Sequence, residues 1–171
     1  PRIDAVWCLR GGYGMTRILD QVDFAPLRKR PKAIIGFSDI TALLNAAQVE
    51  AGLVTFHAPM ARAPLTPFSR WHFDRVLTTV NPAGRLGRVA PPADVLVPTS
   101  GRIVTLVPGQ ATGPLVGGNL TLLQCLIGTK YFPDLSGTLL FIEDVGEDLY
   151  SVDRMLAQLR SVGALQKVAG V

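Results

Sequence analysis

The sequence predicts an α/β protein built on parallel strands, and three observations carry that expectation. Short apolar runs of strand length alternate with segments of helical spacing, a glycine-rich turn follows the first run, and helix-length segments separate successive runs. A chain of 171 residues with 48% hydrophobic content holds enough apolar material for one ordinary domain or two small ones. That composition excludes disorder, collagen and a disulfide scaffold.

The elements follow in order. Residues 5–9 read as a buried strand, and Arg10-Gly11-Gly12-Tyr13-Gly14 as a tight turn into a helix carrying Ile18, Leu19 and Val22 on one side. Residues 33–37 give a second buried strand, residues 39–51 a helix closed by Gly52, and residues 53–56 a third strand. A helix is expected around Trp71, Phe73, Val76, Leu77 and Val80. Prolines and glycines then crowd residues 81–98, so a linker is placed at 83–102, between an N-terminal lobe (1–82) and a C-terminal lobe (103–171). The C-terminal lobe is expected to hold strands at 103–107 and 112–116, a helix at 119–127 and a strand at 138–142. An amphipathic helix at 151–162 follows, with Val152, Met155, Leu156 and Leu159 on its buried stripe.

Charge and cysteine content narrow the partners. Seventeen basic residues against 13 acidic ones give +4, but the basic residues are scattered, so nucleic acid is not expected. Glycine, proline or arginine interrupts every apolar stretch before it reaches membrane-spanning length, and the opening residues lack a signal-peptide pattern. No membrane association is expected. Cys8 and Cys125 both lie in apolar runs, which suggests free, buried thiols in a reducing cytosol and no metal pair. The chain begins without Met in a strand-like run and stops in another, and it reads as a fragment.

Three segments could carry chemistry, and the histidines and Cys8 are weighed beside them. In Gly36-Phe37-Ser38-Asp39-Ile40-Thr41 a serine stands between strand and helix, where a nucleophile elbow would hold its hydroxyl beside free helix N–H groups. Ile40 occupies the position where the hydrolase pattern wants glycine, and this segment alone favours a simple helix cap. The glycine turn could supply a second oxyanion donor or cradle a phosphate, but Arg17 replaces the third glycine of a dinucleotide fingerprint. Glu143, Asp144 and Glu147 follow a buried strand. One of them could orient a catalytic histidine, or all could be solvated acids before a helix capped by Asp148 or Ser151, with Arg154 as an ion-pair partner. His57 reads as a packed strand-end histidine and His72 as a surface or half-buried one; neither has metal-ligand spacing. Cys8 has no neighbour that would activate its thiol.

Five motifs occur in one order: Arg10-Gly11-Gly12-Tyr13-Gly14, Gly36-Phe37-Ser38-Asp39-Ile40-Thr41, Gly117-Gly118-Asn119-Leu120, Leu140-Phe141-Ile142-Glu143-Asp144, and Tyr150-Ser151-Val152-Asp153-Arg154-Met155-Leu156. Over nearly the whole chain they resemble the LD-carboxypeptidases, serine peptidases with a Ser-Glu-His triad. The resemblance overrides the cap reading of Ser38. It implies a glutamine-amidotransferase-like or flavodoxin-like N-terminal lobe and a smaller C-terminal one. It also implies Ser38 as nucleophile, Glu143 as triad acid, and the N–H groups of Asp39 and Gly12 as oxyanion donors. Gly11 and Asn119 are weaker substrate-binding candidates, and Arg102 or Arg154 candidates for the substrate carboxylate. The implied activity removes the terminal D-residue from muropeptide tetrapeptides, or another small peptide, in bacterial cytoplasm during peptidoglycan recycling. The implied enzyme is a homodimer that needs no metal or organic cofactor. The family's triad histidine falls several tens of residues beyond the glutamate, and the 28 residues after Glu143 (171 − 143) contain none. The alternatives are a microcin-immunity-type peptidase acting on peptidyl or aminoacyl adenylates, and a non-catalytic remnant or binding domain.

Overall fold

The computed structural model describes residues 3–85, 87 and 103–171. They form an α/β structure with parallel sheets, gathered into two compact units: Pro1–Ala63 with Gln110–Val171, and Pro64–Gly109.

In the first unit, β1 (Ala5–Trp7), β2 (Ala33–Gly36) and β3 (Phe56–His57) form one parallel sheet in the order β1-β2-β3. Ile35 pairs with Phe56 and Gly36 with His57. β2 is buried, as expected of a central strand flanked on both sides. β1 is not: Val6 and Trp7 are 46% and 39% exposed, because β1 pairs along one edge only. The third strand also starts later than expected. Gly52 closes α3 (Thr41–Ala51) in the left-handed region at φ 65°, and Leu53 buries itself before the strand begins.

The helix expected after the glycine turn is broken. α1 (Met15–Ile18) makes one turn and a 3₁₀ turn follows at Leu19–Gln21. Val22 then goes extended, and the Asp23 carboxylate accepts from the Ala25 N–H to start α2 (Ala25–Lys29), with Pro26 in its first turn. A local side-chain bond outcompetes helix continuation here.

The second sheet pairs β4 (Leu115–Asn119) with β5 (Leu139–Glu143) in parallel, running from Leu115 opposite Leu139 to Asn119 opposite Glu143. The strand expected at 112–116 is therefore displaced three residues along the chain. α5 (Leu120–Leu126) follows β4 directly. Asn119 caps it, its Oδ1 accepting from the Leu122 N–H at 3.1 Å. α6 (Leu149–Ser161) buries Met155 and Leu159 against Leu123 and Leu140. Leu123 is fully buried, so truncating it to Ala would cost about 2–5 kcal/mol.

α3 ties the two sheets together. Buried Asn45 donates from Nδ2 to the Thr41 carbonyl at 2.9 Å and to the Gly117 carbonyl at 3.0 Å. The Asn119 N–H donates to Thr41 Oγ1 at 3.1 Å, and Tyr131 donates its hydroxyl proton to Asp20 at 2.7 Å. This close approach needs Gly118, where a Cβ would stand 2.6 Å from Thr41 Cγ2.

In the second unit, α4 (Pro67–Leu77) begins at Thr66, whose hydroxyl accepts from the Ser69 N–H at 3.1 Å. The strand expected at 103–107 does not form; those residues carry no regular structure and Leu106 is 90% exposed. Of the expected linker, residues 86 and 88–102 lie outside the described residues, and Arg102 with them. The expectation of two buried thiols is also corrected: Cys8 is half-buried and Cys125 exposed, because its position on α5 faces away from both cores. Among the described residues, no helix is long and apolar enough to cross a membrane.

Candidate active site

The bend after β2 is built by omission and by strain. A Cβ at Gly36 would lie 2.9 Å from Ile40 Cγ2 and 3.2 Å from Cys8 Cβ, so only glycine lets the helix fold back this tightly over the strand. Phe37 is extended, and Ser38 then turns to φ 58°, a left-handed conformation that among the described residues no other non-glycine adopts. Holding a serine there costs about 1–3 kcal/mol, which the surrounding fold must offset. The Ser38 side chain caps neither the 3₁₀ turn at Ser38–Ile40 nor α3. Ser38 is half-buried at the end of the central strand, and the first amides of the helical segment it opens have no acceptor within that segment.

The glycine turn meets this bend. Gly11 faces Ser38 so closely that a Cβ on it would sit 3.2 Å from Ser38 Cβ and 3.3 Å from Oγ. Gly12 and Gly14 take positive φ values of 142° and 114°, a path that non-glycine residues rarely follow. The Asp39 carboxylate, 7% exposed, accepts from the Met15 N–H at 3.1 Å and so anchors the far end of the turn to the residue after Ser38. Asp39 thus brings together the two backbone segments that carry the expected oxyanion donors.

The three carboxylates at and just past the end of β5 do different things. Asp144 Oδ2 accepts from both the N–H and the hydroxyl of Thr121, each at 3.0 Å, and Glu147 reaches the same hydroxyl at 3.4 Å. Glu143 instead turns toward β3, its Oε1 lying 3.7 Å from His57 Nε2. Arg154, expected to pair with one of these acids, donates to Ser151 Oγ at 3.3 Å and lies over the Tyr150 ring. Asp148 stands at the N-cap of α6 but makes no side-chain capping bond, and Ser151 is buried inside the helix. Asn119 pairs with Glu143 across the sheet; with Oδ1 committed to the α5 cap, its Nδ2 is the part left for other contacts.

His57 is the residue that the sequence pattern alone undervalues. Its ring packs edge-on against Phe141 (centroids 5.2 Å, 77°) and against Phe37 (6.0 Å, 66°). Burial pushes its pKa below the usual 6.5, so the imidazole is neutral at neutral pH. The signal that could have found it is topological: consecutive parallel strands end side by side, which puts the last residue of β3 beside the bend that follows β2. His72 packs between Phe68 and Trp71 on α4. Burial raises the Cys8 thiol pKa, which agrees with an unactivated thiol.

Comparison with known proteins identifies the family of the chain. The LD-carboxypeptidase N-terminal domain model matches residues 1–58 and the corresponding C-terminal domain model matches residues 112–171, between them more than half of the chain. A probable murein peptide carboxypeptidase of Bacillus subtilis (strain 168) is 41% identical over 99% of this chain and 51% of its own length. The crystal structure of muramoyltetrapeptide carboxypeptidase from Oxalobacter formigenes superposes with a TM-score of 0.77 and 36% identity, over 98% of this chain and 54% of that one. The microcin C7 self-immunity protein MccF, solved in complex with aspartyl sulfamoyl adenosine, aligns with a TM-score of 0.75 and 25% identity, over 97% of this chain and 56% of its own. The chain thus spans about half the length of the relatives it matches. With both domain models matched in order and the fold shared with a solved member, the chain belongs to the LD-carboxypeptidase family.

Proposed function

We propose that this chain carries the nucleophile and the triad acid of a serine LD-carboxypeptidase acting on muropeptide tetrapeptides in peptidoglycan recycling. Ser38 Oγ attacks the carbonyl before the terminal D-residue as its proton passes to the histidine of the family's triad. The N–H groups of Asp39 and Gly12 hold the oxyanion, and Glu143 keeps the imidazole oriented. The imidazolium returns its proton to the leaving amine, and water then releases the acyl chain from Ser38. Gly11 and Asn119 border the substrate path. The enzyme works in the cytoplasm and as a homodimer.

The observation that carries this reading is the strained Ser38 backbone, φ 58° at the bend between β2 and α3, with Gly11 pressed against its side chain. Backbone strain of this kind is concentrated at functional sites. The experiment is a product assay on the protein at the full length of its relatives. It should release the terminal D-amino acid from a muramoyl tetrapeptide, and Glu143→Gln should slow that release by about 10²–10⁴-fold. Undiminished release by the Glu143 variant would count against the triad assignment.

A second reading is favoured by the likeness to MccF, solved with an aminoacyl sulfamoyl adenosine. In it the same Ser38 and Glu143 would cleave an aminoacyl or peptidyl adenylate analogue. Offering both substrates to the same preparation separates the two, since preference for the adenylate by about tenfold or more in kcat/KM would select the second reading.

A further inference from the structure

Glu143 has two carboxylate oxygens in unlike surroundings. Oε1 is buried and has no hydrogen-bond donor within reach, although the side chain as a whole is 38% exposed. Its exposure is therefore carried by the rest of the group, including Oε2. The polar atom facing Oε1 is His57 Nε2 at 3.7 Å, a few tenths of an ångström beyond hydrogen-bond distance. The imidazole packs edge-on against both Phe141 and Phe37, which limits the rotamers open to it, and its side chain is 21% exposed. His57 is neutral and carries one ring N–H, and Nδ1 is likewise buried without a partner.

We propose that His57 is a positioning residue for Glu143, its Nε2–H donating to Oε1 and so presenting Oε2 to the catalytic imidazole. This rests on the reading of Glu143 as the triad acid. A carboxylate that must orient an imidazole gains from having its other oxygen fixed, because rotation about the terminal bond would otherwise misdirect it. Catalytic hydrogen bonds are often long in the free enzyme and tighten when the full constellation is engaged, which accounts for the 3.7 Å separation. A neutral donor suits this role, because it fixes Oε1 without adding a positive charge that would compete with the imidazolium formed during the reaction. The two ring contacts restrict the imidazole, and the alignment of Gly36 with His57 supplies the location.

The test uses the full-length protein with His57→Phe, which keeps ring packing but removes the donor, and His57→Gln, whose amide nitrogen reaches the Nε2 position. His57→Phe should lower kcat on the tetrapeptide about 10–100-fold with KM within about twofold, and His57→Gln should recover most of it. A purely structural histidine would favour Phe over Gln, so a His57→Phe variant more active than His57→Gln overturns the proposal. Nitrogen-15 NMR of labelled histidine gives a readout independent of turnover. The His57 signal, assigned by its loss in His57→Phe, should report the Nε2–H tautomer and should move in Glu143→Gln. An Nδ1–H tautomer, or a signal indifferent to Glu143→Gln, overturns it as well. Wild-type kcat in His57→Phe, with Ser38→Ala and Glu143→Gln both inactive, would remove the role of His57 and leave the triad reading standing. Full activity in Ser38→Ala would instead remove the triad reading.

Discussion

Gly11 and Ser38 are packed so closely that a methyl group on Gly11 would touch the Ser38 side chain at 3.2–3.3 Å. That is tighter than an ordinary van der Waals contact, so the serine or the turn would have to give by a few tenths of an ångström. Gly11→Ala should therefore leave the fold intact but lower kcat/KM about 10–100-fold, since small displacements of a nucleophile are costly. Steady-state kinetics together with a thermal melt checks this: the variant should lose activity with little loss of Tm.

Asn45 predicts a different outcome. Its Nδ2 bridges the Thr41 and Gly117 carbonyls from a site 2% exposed, joining α3 to the second sheet. Asn45→Ala leaves the Gly117 carbonyl buried without that donor, and should destabilise the protein by about 1–3 kcal/mol in urea denaturation. A loss below about 0.5 kcal/mol would mean that the bridge does not hold the two sheets together.

His57 makes stability depend on pH. Burial holds its folded-state pKa below the usual 6.5, so between those two values the unfolded chain binds a proton that the folded chain does not. The His57 contribution is thus fully present above about pH 6.5 and is lost as pH falls through the window beneath it. Urea midpoints measured at pH 7.5 and pH 5.5 should fall more steeply for the wild type than for His57→Gln. Parallel slopes would contradict a buried neutral imidazole.

The fold was legible where periodicity and glycine placement agreed. The runs that became β2 and β5, the α3 spacing closed by Gly52, and the α6 stripe of Met155 and Leu159 all express burial directly in residue type. Legibility failed where a local bond or a missing neighbour decided the matter. The Asp23 carboxylate started a separate helix at Ala25, and the one-sided pairing of β1 left an apolar strand exposed. Residues 103–107 are β-branched and apolar in composition, but among the described residues no strand pairs with them. At the candidate site, Ser38, Asp39 and Glu143 could be picked out by motif order. The facing of Glu143 and His57 could not, because it depends on two sheets being brought together through Thr41 and Asn45, which no local pattern announces.

The measurement that goes straight to the centre is the rate at which full-length Ser38→Ala releases the terminal D-amino acid from a muramoyl tetrapeptide. Loss of the attacking hydroxyl should cut kcat by about 10⁴-fold or more while the protein keeps its fold and its Tm. Release at a rate near that of the wild type would mean that the strained bend at Ser38 serves some other purpose and that the nucleophile lies elsewhere.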